Sequence, residues 1–580
     1  MHRPFRRARR SRPALAAALL VPALALTALP GASAAPAPAP VAGDTVVTYE
    51  VRAVGVDAGE LALDLQAAGY EVAARAGDVL YVLGTSGSAT SLSARADLSV
   101  VASVPVGPVV TAPGDQDAIL PKKLDGNEYE TFYGGYRTVD GFQQFEEDLA
   151  AAYPSTVQLV EYGESYTGAN PLRALCVTNA ADQGCGLDPD TDKARFVLMA
   201  QIHARELTTS EIAWRMLSYL VDNKGKDPHV NALLNDAEIW VVPEANPDGI
   251  ETAETGIIED GLGSLSDAWQ RKNLNPGTVT CGTGSFSQIG VDLNRNWDAF
   301  WGGPGSSGAQ CDLTYRGTSA ASEPETYELA GLFQDLFEDQ RPPGSTAPAP
   351  ADTRGALISM HTYSNLVLFP YGSGPDTPND AGLRSMAFRM TYFNGYTAGR
   401  PNEILYEVTG STDDFAYDDL GIAAFTYEVG PASGACSGFH PAYTCQETFW
   451  DLNRDAILYG MTAAQQPYTQ GLGPTIIEAE SVLDGDTVSI TGTADDDAYG
   501  SSGVEQPAAQ SVTSARMFIG DAPWEGGVAK SVSIVGSGTQ VDLTASLGAK
   551  AKKKRVYLQA QDASGNWGPV AVVWRPAAAS

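Results

Sequence analysis

Four runs of apolar residues constrain this chain more than any other feature: Arg195–Ile202, Ala237–Val242, Ala356–His361 and Ala423–Val429. Each is short and nearly continuous rather than alternating, the pattern of a strand buried on both faces. Such strands need helices above and below them. Helix-like stretches lie at Ser210–Val221, Glu323–Phe337 and Thr448–Ala463. Residues 127–470 are therefore predicted to form an α/β fold, a mixed, mostly parallel sheet flanked by helices. In open α/β sheets, sites gather beyond the carboxyl ends of the strands. His203, Asn246, His361 and Glu428 fall at or just past those ends. Four polar residues in four such places are hard to explain by packing.

At 580 residues the chain exceeds one hydrophobic core, so further domains are expected. Residues 1–34 read as a signal peptide. Six arginines between Arg3 and Arg12 precede an apolar run, Ala14–Leu29, and Ala32-Ser33-Ala34 fits the cleavage rule. The paired arginines permit twin-arginine as well as general export. Residues 35–126 hold an Ala-Pro linker and a small α/β unit, with strands at Val46–Val51 and Val79–Leu83 and a helix at Ala58–Ala68. A polar connector, Pro108–Gly126, carries Lys122-Lys123. A small domain set ahead of a larger exported one through a dibasic connector reads as a propeptide; a permanent accessory domain is the alternative. After a linker at Gln465–Pro474, residues 475–580 show short alternating strands, such as Asp484–Ile490 and Arg555–Gln561, and are predicted to form a β-sandwich. There Asp495-Asp496-Asp497 reads as a solvated turn rather than a calcium loop, and Lys552–Arg555 as an exposed strand start.

Charge and cysteines narrow the function. The formal charge is −33, and loss of the arginine-rich leader takes it to about −39. That balance rules against nucleic-acid binding. No other stretch is long and apolar enough to span a membrane. The chain is thus expected outside the cell, secreted and monomeric. Six cysteines in an exported chain point to disulfides, and sequence order alone does not choose the pairing.

The stretch Gln201–Ser210 reads Q-I-H-A-R-E-L-T-T-S. If a helix starts here, His203 and Glu206 share a face. An imidazole and a carboxylate so placed can hold a divalent metal, and zinc takes such a pair with a third ligand from elsewhere. Taken alone, H-x-x-E is a common surface pair. The chain has only five histidines. His2 is in the leader, and His229 and His440 lie in loop-like surroundings, so His361 is the third ligand to expect. Three protein ligands leave a fourth position for water.

Five blocks, in order, resemble the zinc metallocarboxypeptidases, the family of the pancreatic carboxypeptidases A and B. They are His203-Ala204-Arg205-Glu206, Asn246-Pro247-Asp248-Gly249, Gly290–Trp297, His361-Thr362-Tyr363-Ser364 and Phe425-Thr426-Tyr427-Glu428. The resemblance implies a carboxypeptidase-like fold and one Zn2+ held by His203, Glu206 and His361. It implies peptide or protein substrates with a free C-terminus. It makes Glu428 the general base and Arg271 the oxyanion donor. Asn294 and Arg295 match the clamp for the terminal carboxylate, and Tyr406 the tyrosine that closes over the substrate, with Tyr417 as a competitor. Arg205 is placed to assist substrate binding, and Asp292 resembles the carboxylate that orients the first histidine.

The same resemblance places Asp413 on the floor of the side-chain pocket, where a carboxylate selects Lys or Arg. Val408 and Leu368 keep the wall partly apolar, so the expected preference is basic or mixed basic and apolar. Two alternatives stay open: cleavage of cell-wall peptides by the same fold, or an inactive relative that binds a surface or polymer through its sandwich.

Overall fold

The computed structural model describes residues 45–106, 119–181, 184–189, 191–263, 265–281, 286–342, 344–548, 554–573 and 577–578. The expected leader, the Ala-Pro linker, most of the 108–126 connector and Lys552-Lys553 lie outside them. No helix among the described residues is long and apolar enough to cross a membrane.

The N-terminal unit is one small sheet. Its strands β1 (Val46–Ala53), β2 (Glu71–Ala76), β3 (Val79–Thr85) and β4 (Leu98–Pro105) stand in the order β2-β3-β1-β4. Helix α1 (Ala58–Ala67) covers it, started by Asp57, whose side chain accepts from the Gly59 and Glu60 amides.

The central sheet has eight strands. They are β5 (Val157–Glu164), β6 (Pro171–Val177), β7 (Ala194–Met199), β8 (Ala237–Val242), β9 (Ala356–His361), β10 (Leu366–Leu368), β11 (Thr397–Gly399) and β12 (Ala423–Glu428), ordered β11-β10-β12-β9-β7-β8-β6-β5. The middle four, β12-β9-β7-β8, run parallel. Antiparallel partners flank them, β10 against β12 and β6 against β8. Every residue of β7, β8 and β9 is buried. Alternate side chains feed opposite cores, as the pleat requires. Phe196 and Leu198 pack with Trp214 and Phe388 on one face, and Val197 and Met199 with Phe333 and Phe415 on the other. Helices α2 (Leu207–Asn223), α3 (Asp380–Asn394) and α4 (Gln446–Ala463) supply the first face.

The C-terminal unit has two sheets. Strands β13 (Thr475–Asp484), β14 (Thr487–Asp495) and the 540–548 strand carry one, and Val512–Ile519 with Val556–Asp562 the other. The run Asp484–Ile490, expected as one strand, instead holds the β13–β14 turn, with Gly485 at φ +57°. The expected linker is not loose either: Pro467–Gln470 is helical, and buried Tyr468 donates to Gly421 O at 2.8 Å. Nor is the aspartate triplet a solvated turn throughout. Asp496 is buried and pairs with Arg389 of α3 at 2.9 Å, while Arg389 also reaches Gly471 O and Thr475 Oγ1. The following loop lies along the free edge of the central sheet. Ala398 N donates to Ser502 O at 3.1 Å and Val504 N to Ala398 O at 3.0 Å. A Cβ on Gly503 would stand 2.3 Å from Ala398 O, so only glycine permits this approach.

The connector ahead of the central unit also differs from expectation. Lys122–Leu124 is a turn of 3₁₀ helix, and Lys123 Nζ donates to Ala152 O at 2.7 Å. The six cysteines form neighbouring pairs: 176–185, 281–311 and 436–445.

Candidate active site

The H-x-x-E stretch is a turn rather than one face of a helix. Helix α2 begins at Leu207, one residue past Glu206. Gln201 sits at φ +50°, held by Thr209 Oγ1 to its amide at 3.0 Å and by its own side chain to Ala204 O at 2.8 Å. Glu206 N then closes on His203 O at 3.2 Å. Because Glu206 does not cap α2 with its side chain, both functional groups are free to face β9. Asn246 lies outside the cleft. It caps the helix after β8 and donates to Ile202 O at 3.2 Å, bracing the turn from beneath.

His203 Nδ1 and His361 Nδ1 face each other at 3.1 Å. The two oxygens of Glu206 lie 2.8 Å from the first and 3.2 Å from the second. The opposite ring nitrogens are occupied, Nε2 of His203 by Asp292 Oδ1 at 3.2 Å and Nε2 of His361 by Ser359 Oγ at 3.1 Å. That assignment leaves both Nδ1 lone pairs pointing inward. Burial lowers the His361 pKa, which favours a neutral ring. Burial alone would raise Glu206, but the two imidazoles hold it below the usual carboxylate range. Two imidazoles and one carboxylate converging on one point are the donor set zinc takes. They form the sole such group of three or more His, Cys, Asp or Glu among the described residues.

The other residues singled out from the sequence surround one cavity. Glu428 ends β12, paired in register with His361. Burial and the charge of Glu206 push its carboxyl well above the usual range, with Arg271 and Arg295 pulling the other way. Arg271 is buried and doubly bonded to Asp292, Nε at 3.1 Å and Nη2 at 2.9 Å from Oδ2. Asp292 thus fixes both His203 and Arg271. Neighbouring Lys272 is no surface residue; it is buried with Nζ on the carbonyls of Gln310 and Asp312. Asn294 turns its amide oxygen to Thr412, accepting at 2.9 and 3.0 Å, so its nitrogen side is left for a ligand. Arg295 spends Nε on Gly305 O and Nη1 on Asn294 O, which leaves Nη2. Gly410, at φ +71°, lets the Thr409–Ser411 segment pass against Arg295, where a Cβ would stand 2.4 Å from its carbonyl.

Tyr406, Asp413, Leu368 and Val408 line the cavity. Tyr417 does not; it donates to Asn379 Oδ1 at 2.7 Å inside the core. Arg205 is also buried beneath the cavity wall, its guanidinium 4.1 Å from the Phe439 ring. Several lining residues were not read from the sequence, Phe439 and Glu71 among them. Phe439 lies in the loop closed by Cys436–Cys445, and that cysteine spacing was the available signal. Glu71 comes from β2 of the N-terminal unit and meets Arg205 at 2.9 Å. Nothing in the strand E-V-A-A-R-A marks it.

A sequence model of the family described as zinc carboxypeptidase matches residues 142–455. Mouse carboxypeptidase A2 is 29% identical over 305 residues, 51% of this chain and 63% of that protein. Zinc carboxypeptidase A 1 of Anopheles gambiae is 29% identical over 318 residues, 53% of this chain and 63% of that protein. The matches therefore span less than two thirds of these relatives. In fold, the chain is similar to the crystal structure of carboxypeptidase A from Helicoverpa armigera, with a TM-score of 0.56 and 21% identity over 73% of this chain and 98% of that one. With the family sequence matched over more than half its length and the zinc donor set assembled at the strand ends, the chain belongs to the zinc carboxypeptidase family.

Proposed function

We propose that this protein is an exported zinc-dependent carboxypeptidase that removes C-terminal residues from peptides and proteins, with a basic or mixed basic and apolar preference. The carrying observation is the convergence of His203, Glu206 and His361 beside Glu428, Arg271, Asn294 and Arg295 on one cavity. His203, Glu206 and His361 would hold zinc, which would supply Lewis acidity to a peptide carbonyl and an attacking water and would favour the ionised form of Glu428. Glu428 takes the water proton and delivers it to the leaving amine. Arg271, fixed by its two bonds to Asp292, stabilises negative charge growing on the carbonyl oxygen. Arg295 and Asn294 hold the terminal carboxylate with the groups they leave uncommitted. Tyr406 closes the cavity wall above them.

Asp413 and Asp414 sit together beneath this cavity. Asp414 Oδ1 accepts from Gly372 N at 3.0 Å, and its other oxygen has no partner among the described residues. Burial and the neighbouring Asp413 push Asp414 well above the usual range. Asp414 is therefore read as keeping its proton, and Asp413 faces the cavity, where it would meet a terminal Lys or Arg. Leu368 and Val408 supply apolar contact for other side chains.

The N-terminal unit supports a zymogen. Glu71, Val72 and Ala73 line the cavity, and Val51, Leu61 and Leu65 share one core with Leu368, Leu405, Tyr406 and Val408. Three disulfides support export. The test is hydrolysis of short peptides by protein freed of its N-terminal unit. Activity should vanish with a chelator and return with zinc. Glu428→Gln should lose at least about 10²-fold in kcat while keeping zinc. Cleavage unaffected by metal removal, or a fully active Glu428→Gln protein, would refute the reading.

A further inference from the structure

The side chain of Arg271 is fixed by Asp292, and its backbone is fixed separately. The Arg271 carbonyl accepts from Ala204 N, in the turn that carries His203 and Glu206, at 3.1 Å. Its amide meets Gln288. Gln288 Oε1 accepts from Arg271 N at 3.0 Å, and Gln288 Nε2 donates to Trp269 O at 2.5 Å. One side chain thus bonds both peptide groups that flank Gln270. A carboxamide suits this task because it carries an acceptor and a donor on one planar head. Gln288 is itself anchored. Its backbone amide donates to Cys311 O at 3.2 Å, and Cys311 is bridged to Cys281. Lys272 grips the same place from the other side of Arg271, with Nζ donating to Gln310 O at 2.9 Å and to Asp312 O at 2.8 Å. The carbonyls of residues 310–312 therefore all serve the segment that presents Arg271. The same loop reaches the partner of Arg271, since Asp292 N donates to Tyr315 O at 2.8 Å. Gln288 does not line the catalytic cavity.

We propose that Gln288 is a positioning residue for catalysis: carried on the loop that the Cys281–Cys311 bridge closes, it fixes the backbone from which Arg271 reaches the reacting carbonyl oxygen. The inference rests on the oxyanion role given to Arg271 above. Asp292 sets the direction of the guanidinium, and the clasp by Gln288 sets where the chain delivers it. Without the clasp, water takes the Arg271 amide, and the 269–271 segment gains freedom. A donor moved by a fraction of an ångström loses stabilisation that exists only in the transition state. Substrate binding through Asn294 and Arg295 uses other groups and is untouched.

The experiment uses the full-length, zinc-loaded protein, cleaved after folding between its N-terminal and catalytic regions and washed free of the N-terminal fragment. Gln288→Met keeps the length of the side chain and removes both bonds. It should lower kcat on a peptide ending in Arg by about ten-fold, with KM and bound zinc unchanged. Affinity for a phosphonate analogue of the tetrahedral intermediate should fall by the same factor, and affinity for free arginine should not. Gln288→Glu, which still accepts from the Arg271 amide, should recover part of the loss. The decisive comparison is made in Arg271→Ala. There Gln288→Met should alter kcat by less than about two-fold, because the residue it positions is gone. An equal loss in both backgrounds makes Gln288 a general support of the fold and overturns the proposal. So does a Gln288→Met protein with normal kcat, or one whose loss follows zinc content. If Gln288→Met does not fold, Gln288→Glu carries the same comparison. Normal kcat in Arg271→Ala overturns the proposal together with the oxyanion role, and leaves the carboxypeptidase reading standing where wild-type cleavage is chelator-sensitive. No chelator-sensitive cleavage by wild type overturns both readings.

Discussion

The two flanking domains meet the central domain in different ways. The N-terminal unit lies over the cavity. Its contacts include apolar side chains shared with Leu405, Tyr406 and Val408, the bond from Arg75 Nη1 to Leu405 O at 3.0 Å, and the pair Glu71–Arg205. Tyr406 and Val408 line the cavity, while Val46, Ala74, Tyr81 and Leu83 pack with Leu262, Trp269 and Phe286, which do not. The C-terminal unit attaches to α3, to the sheet edge at β11 and to Asp236, which accepts from Tyr557 OH at 3.1 Å. None of these residues lines the catalytic cavity. One junction includes residues of the catalytic cavity, and the other does not. A propeptide and a permanent domain would differ in this respect.

Mutation can break the comparison at either junction. The largest effect is expected at the C-terminal one. Asp496→Ala leaves Arg389 buried and unpaired, at a cost of about 3–5 kcal/mol in urea unfolding of the whole chain. Activity per folded molecule should not change. If it falls, the two junctions are not independent.

Next comes the N-terminal junction itself. Cleaved protein freed of residues 45–106 should exceed intact protein by at least about 10²-fold in kcat/KM, because a tethered occupant competes at high effective concentration. Equal activities would make the small domain a permanent accessory. Within that junction, Glu71→Gln in the intact chain should raise activity by about ten-fold, since one partner of a buried pair is lost. A change in stability without a change in activity would reduce Glu71 to a structural contact.

The smallest effect concerns pH. Burial and Glu525 raise Asp236 to about 7, opposed by Arg555, the Tyr557 hydroxyl and Lys193. A carboxyl raised above its unfolded value stabilises fully below that value, and its contribution is lost as pH rises through about 7. Wild type should therefore lose about 1 kcal/mol more than Asp236→Asn between pH 4 and pH 8, after allowance for relaxation at a domain junction. Parallel stability profiles would remove Asp236 from the account.

The parts of this arrangement legible in the sequence are those with a short-range signature. Buried strands announce themselves as apolar runs, and β8 and β9 have the bounds read from them. Polar residues at their ends were visible for the same reason. The turn at Gln201 was not, because a positive φ in a non-glycine residue is imposed by Thr209 and Ala204. Asp496 was misread because its partner, Arg389, lies 107 positions away in the chain. Glu71 was missed for a similar reason: its strand pattern says only that one face is buried, and what covers that face is decided by tertiary docking. Disulfide pairing also needed the fold. The zinc ligands and Glu428 were found through motif blocks carried on a strand end or on the turn just after one, and Asn294 and Arg295 through a block on the 3₁₀ turn Leu293–Arg295.

The loop Ser502–Val504 has a consequence beyond docking. The strand Thr397–Gly399 is the outermost of the eight, and an outermost strand offers unpaired amides and carbonyls to any extended chain that meets it. The bonds on either side of Gly503 satisfy both the amide and the carbonyl of Ala398. The sandwich therefore acts as a guard against self-association. A chain ending near Gln470 would present an open sheet margin, and its characteristic failure would be aggregation through strand addition rather than loss of catalysis.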